Sequence, residues 1–293
     1  MMVSKGLLAA RPGFGVPSYM ASGFQVRRYL RRPHLLYETT IAHHLAAIGI
    51  VLAACGAVVI LGLHFANPKD AFNIQDVSPM DVATAAANTF FRMFLAYLIA
   101  LVASVPLAIV IARTPRTQKI LLPIADILQS IPVLAFFPVV VVFFTASHAL
   151  ELAAVFVIFI SMLWNIVFTV IGGLQTIPDD IRSAAIVFKV TGLRRFWYIT
   201  LPAIVPFVIT GSLLAWAQGW TVVIVAEVLH TYIPHGTPSQ DLLGLGSLLV
   251  DSNASSKTSV FVATLAAMIL MVALINLFVW QPLLRFSQRF RFD

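Results

Sequence analysis

The chain has 293 residues, of which 60% are hydrophobic and only 11% are charged. Soluble domains carry about 25% charged residues, so the composition excludes an ordinary soluble protein and favours one that crosses a membrane several times. The net charge of +7 is more typical of loop orientation than of nucleic-acid binding in such a protein. The single cysteine, Cys55, excludes an intramolecular disulfide.

Residues 1–40 form a tail rich in polar and basic residues, which lacks the long apolar region of a signal peptide. Six charge-free stretches follow, each near the roughly 20 apolar residues that a helix needs to cross a bilayer. They are 46–63, 93–112, 127–147, 152–175, 203–226 and 258–280. Because lipid offers no partner for backbone polar groups, we predict an all-α protein with six transmembrane helices.

Basic residues are concentrated in alternate loops. Sixteen of the 19 lysines and arginines lie in the N-terminal tail, in the loops after the second and fourth stretches, and in the C-terminal tail. Cytoplasmic loops carry an excess of basic residues, so we predict that both termini are cytoplasmic. The predicted organisation is a cytoplasmic tail at 1–40, a transmembrane domain at 41–284 with a long cytoplasmic loop at 176–202, and a short tail at 285–293.

The long cytoplasmic loop has its own helix signals. A threonine, a proline and two aspartates at positions 176–180 favour a helix start, with Thr176 as the cap. Ile181, Ala185 and Phe188 then fall on one helical face. We expect Gly192 to end this helix and a second short helix to follow before Pro202.

The same loop resembles a known motif. Ala184-Ala185 followed by Ile199-Thr200-Leu201-Pro202 is similar to the Glu-Ala-Ala loop in permease subunits of bacterial ATP-binding cassette (ABC) importers of type I. Ser183 and Lys189 stand where that motif has glutamate and glycine, so the match is incomplete. The resemblance covers about residues 80–284 and leaves 1–40 outside.

Two further stretches resemble the nitrate, sulfonate, taurine and bicarbonate subgroup of these permeases. One is Ser130-Ile131-Pro132 with Phe137-Pro138, and the other is Gly219-Trp220 followed by Val225-Ala226-Glu227. The subgroup implies a subunit of the bacterial inner membrane that forms the pathway of a small solute, with an anion expected. The partners implied are two ATPase subunits, a second permease that is identical or related, and an extracytoplasmic substrate-binding protein.

The chain itself is not expected to be an enzyme. It has no phosphate-binding loop, so ATP and Mg²⁺ would be bound by the ATPase partners and no cofactor or metal by this chain. A secondary transporter and an integral membrane enzyme are the alternatives. A secondary transporter usually shows internal repeats and ionisable groups within the spans, and the sequence shows neither feature clearly. An integral membrane enzyme needs a catalytic polar cluster, and the sequence shows none.

In the implied mechanism a short helix of the loop docks on the ATPase and transmits its closure to the spans. The alternative is an interfacial helix that lies on anionic lipid. Because Lys189 replaces the family's glycine, we expect the bend to come later, near Gly192. The residues assigned to coupling are Ser183, Ala184, Ala185, Phe188, Lys189, Gly192, Arg194 and Arg195.

Polar and aromatic residues at membrane depth are the candidates for the solute pathway. They are Arg92, Gln129, Asn165, Gln218, Trp220 and Glu227. Each has a structural alternative: Arg92 could extend to lipid headgroups, Asn165 could bond to another helix, and Glu227 could belong to a structural pair. Asp126, beside Gln129, could cap a helix or pair with a basic loop residue.

Overall fold

A computed structural model describes residues 49–50, 53, 56–57, 60, 78–146, 149–233 and 235–290. The N-terminal tail and most of the first predicted span lie outside the described residues. Within the described part, every regular element is helical.

Ten α-helices follow one another along this part of the chain. They are α1 (Pro79–Ala112), α2 (Pro115–Ser130), α3 (Val133–Ala146), α4 (Leu150–Gln175), α5 (Asp179–Val187), α6 (Gly192–Arg195), α7 (Leu201–Glu227), α8 (Leu245–Ala254), α9 (Thr258–Ile275) and α10 (Gln281–Ser287). Two π-helical segments, Phe196–Thr200 and Asn276–Trp280, connect α6 to α7 and α9 to α10. Short 3₁₀ turns occupy His230–Tyr232, Pro238–Gln240 and Gln288–Phe290.

Among the described residues, four continuous helices are long and apolar enough to cross a membrane: Pro79–Ala112, Leu150–Gln175, Gly192–Glu227 and Thr258–Phe290. A fifth crossing is obtained if α2 and α3 are taken together. These correspond to the second to sixth predicted spans. The first predicted span, 46–63, falls largely outside the described residues, so the total of six stays a prediction.

The predicted span 127–147 is interrupted near its start and is not one continuous helix. The helix is interrupted at Ile131 and Pro132, and the axes of α2 and α3 meet there at a bend of 78°. Pro132 has no backbone N–H to continue the helix, and the residue before a proline is forced toward extended backbone. Ile131 accordingly has φ −74° and ψ 123°. Pro106, Pro138 and Pro206, by contrast, remain inside their helices.

The helix α4 lies at the centre of the bundle and packs mainly against α1 and α7. In its most apolar stretch 61% of the residues are buried, against 11% in the most apolar stretch of Thr258–Phe290. Small residues allow the close approach between helices: a side chain on Gly211 of α7 would collide with Thr169 and with the backbone of Ile166 in α4. The bundle core therefore positions the end of α7 and the start of α4 beside α1.

Candidate functional site

A group of charged side chains joins three helices at the end of the bundle where α7 stops. Arg92 of α1 is only 4% exposed, and its Nη1 donates to Oε1 of Glu227, the last residue of α7, at 2.5 Å. Its Nε and Nη2 donate to the two carboxylate oxygens of Glu151, in the first turn of α4, at 2.8 and 2.9 Å. Two parallel hydrogen bonds of this kind fix geometry as well as charge. We call these three residues the charged cluster, and we include Thr89, whose hydroxyl donates to Glu227.

Glu227 is fully buried, and its carboxylate is fully partnered. Oε1 also accepts a hydrogen bond from the Thr89 hydroxyl at 2.7 Å, and Oε2 accepts one from the Gly246 N–H at 2.7 Å. A buried charge is tolerated only when it is paired and hydrogen-bonded in this way. Glu151 differs, because 63% of its side chain is exposed.

The segment after α7 folds back over the charged cluster. The Leu245 N–H donates to the Thr89 hydroxyl at 2.8 Å, and the Leu242 N–H donates to the backbone carbonyl of Glu227 at 3.0 Å. Side chains on Gly244 or Gly246 would collide with the Glu227 carboxylate. Glycine at both positions thus lets the backbone approach the buried acid.

The charged cluster contains one guanidinium and two carboxylates, so its formal charge is negative. The Arg92 donors are already engaged by Glu151, Glu227 and the Leu243 carbonyl. Arg92 therefore does not extend to lipid headgroups and does not present a free cation. In this conformation the arrangement ties α1, α4 and α7 together.

Two of the predicted pathway residues, Arg92 and Glu227, are thus brought into contact, and Glu227 lies in a structural pair. Sequence reasoning missed Thr89 and the role of Glu151. The only signal for Glu151 is that it is an acid directly before an apolar stretch, in a loop on the same predicted side as Arg92.

The other pathway candidates are not gathered into one site. Gln129 is exposed and donates to Oδ1 of Asp126 at 2.9 Å. Among the described residues Asp126 has no basic partner. The amide of Asn165 donates to the Ser161 carbonyl of its own helix at 3.3 Å, rather than to another helix. Trp220 is half-buried, whereas Gln218 is exposed.

The helix predicted at the start of the long loop is present as α5, although its cap differs. The Thr176 hydroxyl donates to the Gly173 carbonyl at 2.8 Å and thereby closes the end of α4. Pro178 precedes α5 without a side-chain cap. Thr176 is therefore not the N-terminal cap of α5, because it still belongs to the preceding helix end.

The expectation that Gly192 ends the helix is wrong, since α5 ends at Val187 and the chain turns first at Lys189. Gly192 is also left-handed, with φ 57°, and makes a second turn at the start of α6. Lys189 has φ 53°, in the left-handed region that normally favours glycine. Its N–H donates to the Ile186 carbonyl at 3.0 Å, and the Val190 N–H donates to the Ala185 carbonyl at 2.8 Å. This is the Schellman pattern of a helix C-terminus. Lys189 thus keeps the turn at the position where the resembling motif has glycine.

Replacing Lys189 with glycine is expected to stabilise the chain. A side chain in the left-handed region costs roughly 1–2 kcal/mol, and the greater freedom of glycine in the unfolded chain offsets about 0.4–1 kcal/mol of that. Lys189→Gly should raise the midpoint of thermal unfolding in detergent, and Lys189→Val should lower it because a β-branched residue is strained at positive φ. Equal midpoints for the two variants would contradict the turn described.

The tip of the loop exposes apolar side chains. Ile186, Val187 and Phe188 are 73%, 76% and 78% exposed, while Ala185 is buried beneath them. Phe188 therefore does not share the packed face of Ala185. Arg194 and Arg195 follow in α6, and both are exposed.

Residues 104–291 match a protein family described as the binding-protein-dependent transport system inner membrane component. The match covers more than half of the chain. The chain belongs to this family. Membership of a binding-protein-dependent transport system argues against the alternatives of an integral membrane enzyme and a secondary transporter.

Relatives of this chain include permease proteins named for several solutes. It is 32% identical to the nitrate import permease protein NrtB of Leptolyngbya laminosa over 60% of this chain and 59% of that protein. It is 29% identical to the bicarbonate transport system permease protein CmpB of Synechocystis over 48% of this chain and 50% of the relative. It is 22% identical to the taurine transport system permease protein TauC of Escherichia coli over 65% of each chain. The matches thus span about half to two thirds of these relatives.

Proposed function

We propose that the chain is the membrane-spanning permease subunit of an ATP-driven importer in a bacterial inner membrane. Its solute is a small anion of the nitrate, bicarbonate or sulfonate type, which passes by alternating access. The observation that supports this most directly is the family match together with relatives named for nitrate, bicarbonate and taurine transport. The partners are two ATPase subunits that hold ATP and Mg²⁺, a second permease and an extracytoplasmic binding protein.

One face of α7 suits the pathway in this proposal. Thr210, Leu214, Gln218 and Thr221 are all exposed, and their spacing places them on one side of the helix. Gln218 precedes Glu227 by nine residues, or about 13 Å of helix, which is near the middle of a hydrocarbon core about 30 Å thick. An amide facing lipid there would lack hydrogen-bond partners. We infer that this face meets the second permease across a hydrated pathway.

Uptake into vesicles that contain the complete transporter tests both the solute and the pathway. Labelled nitrate, bicarbonate or taurine should accumulate only with ATP and the binding protein. Gln218→Leu should reduce uptake about tenfold or more, because a hydrogen bond to an anion contributes about 1.5–3 kcal/mol. Leu214→Val, on the same face, is the matched control and should have little effect.

Uptake of a cation without any uptake of an anion would overturn the proposed solute class. Normal anion uptake by Gln218→Leu would remove Gln218 from the pathway and leave the solute class standing. Co-purification of the ATPase subunits with each variant excludes simple loss of assembly.

The proposed orientation places both termini in the cytoplasm, so the end of α8 and the turn after α10 lie on opposite sides. Asn253 and Gln288 are exposed, whereas the neighbouring Ser252 and Ser287 are buried. In a Cys55→Ala background, an impermeant thiol reagent added outside should label Asn253→Cys and not Gln288→Cys. Labelling of both from the outside, or of Gln288→Cys alone, would contradict this topology.

The loop tip and the following basic residues are the proposed contact with the ATPase. We assign the apolar part of the contact to Phe188, with Ser183, Ala184 and Ala185 in the supporting helix. The turn at Lys189 and Gly192 presents Arg194 and Arg195 at the edge of the contact. The exposure of the three apolar side chains at the tip supports this assignment, because apolar surface of this kind marks an interaction site in a cytoplasmic loop.

A further inference from the structure

The helix α2 has three distinct faces. At 3.6 residues per turn, Ile120, Ile124 and Ile127 lie within about 60° of one another, and they are 64%, 48% and 65% exposed. Ala125, on another side, is buried against the rest of the bundle. Lys119 and the acid Asp126 lie about 100° and 120° from Ile120 on a third, exposed side.

Basic residues border the isoleucine face. Arg116 lies about 40° from Ile120 around the helix axis, between the isoleucines and the polar side, and Arg113 ends the preceding helix. Arg113, Arg116 and Lys119 are exposed and form no ion pair within the part of the chain that the structure describes. An apolar face flanked by unpaired cations is typical of a helix that lies in a membrane interface.

The dimensions of α2 and α3 agree with such a position. The 14 residues of α3 cover about 21 Å, which is less than the hydrocarbon core of about 30 Å. The 16 residues of α2 extend about 24 Å, but the 78° bend leaves only about 5 Å of that length along the direction of α3. The two together span about 26 Å when α3 stands upright, with α2 almost parallel to the membrane surface.

We propose that α2 is an interfacial helix whose isoleucine face enters one leaflet while Arg113, Arg116 and Lys119 bind the headgroups of anionic phospholipids. Lys119 lies at the headgroup level on the polar side, where Asp126 faces water, and the side with Ala125 packs on the bundle. This requires only that the chain spans a membrane, and it does not depend on the solute or on the ATPase contact.

Depth measurements by fluorescence quenching test the orientation. In the full chain with Cys55→Ala, an environment-sensitive fluorophore is attached to Ile120→Cys or Ile127→Cys, and the protein is reconstituted in vesicles of phosphatidylcholine and phosphatidylglycerol. These residues are about 10 Å apart along the helix. An in-plane helix gives a depth difference of about 2 Å, or up to about 6 Å if α3 is tilted by the usual 20°. A membrane-crossing helix gives about 10 Å.

The matched control pair is Leu95→Cys and Val102→Cys on α1, which are also seven residues apart and exposed at 38% and 73%. This pair should show the full difference of about 10 Å. A difference of that size between positions 120 and 127 would overturn the proposal. So would an absence of lipid quenching at both positions, because a protein partner would then cover the isoleucine face.

A second arm tests the lipid class. Brominated phosphatidylglycerol should quench the fluorophore at position 120 several-fold more effectively than brominated phosphatidylcholine at the same content, because basic residues near the surface enrich anionic lipid. The variant Arg116→Gln/Lys119→Gln should lose most of this preference while the depth stays shallow. Equal quenching by the two lipids in the parent chain would overturn the anionic headgroup contact.

Discussion

Arg92→Ala is expected to be the most destabilising single substitution in the described part of the chain. It removes the cation that faces the fully buried carboxylate of Glu227 and leaves that charge uncompensated. Breaking a buried pair by removing one partner typically costs about 3–5 kcal/mol. This is a large fraction of the total stability of a folded protein. We expect severe loss of monodisperse protein after detergent extraction and a sharply lower midpoint of thermal unfolding.

Glu151→Gln is the matched control for that prediction. Glu151 bonds to the same guanidinium but is largely exposed, so water and salt screen its charge and the pair contributes only about 0–1 kcal/mol. The unfolding midpoint of Glu151→Gln should therefore stay close to that of the parent chain. If Arg92→Ala is no less stable than Glu151→Gln, the charged cluster does not hold the helices together as described.

The spans could be predicted from the sequence because the signal for each is local. About 20 consecutive apolar residues suffice, and the helices around residues 93–112, 152–175, 203–226 and 258–280 follow it. The break at Pro132 could not be distinguished in this way from Pro106, Pro138 and Pro206, which all lie in apolar stretches. The difference lies before Pro132, where the chain forms α2. This helix has separate apolar, buried and polar faces and is not part of a uniformly apolar span.

The charged cluster could not be predicted as a unit. Arg92 lies 59 residues from Glu151 and 135 residues from Glu227, and no local pattern specifies such a pairing. The loop motif did not predict the conformation of Lys189. Because this residue is not glycine, we expected the bend to move to Gly192, yet the hydrogen bonds of the helix end hold Lys189 in the left-handed conformation. Tertiary and capping interactions thus override the preference of the single residue.

Phe188→Ala is expected to weaken the association of the permease with its ATPase and thereby to reduce transport. Phe188 is 78% exposed at the loop tip, and in the proposed complex it would be buried against the ATPase. Truncating a buried aromatic anchor in an interface costs about 2 kcal/mol or more, which is a factor of about 30 in affinity. We expect solute-stimulated ATP hydrolysis and co-purification of the ATPase to fall together, while expression of the permease stays normal.

Arg194→Ala should have a much smaller effect, because an exposed ion pair at the edge of an interface contributes about 0.2–1 kcal/mol.

Tyr198→Ala provides the closer control. Tyr198 is an aromatic residue that is also 78% exposed, but it lies beyond the turn at Lys189, in the π-helical segment that leads into α7. General loss of exposed aromatic surface would affect Tyr198→Ala and Phe188→Ala alike, whereas a specific contact at the loop tip affects Phe188→Ala alone. Normal ATPase association and stimulated hydrolysis in both Phe188→Ala and the double variant Arg194→Ala/Arg195→Ala would show that this loop does not couple the permease to its ATPase.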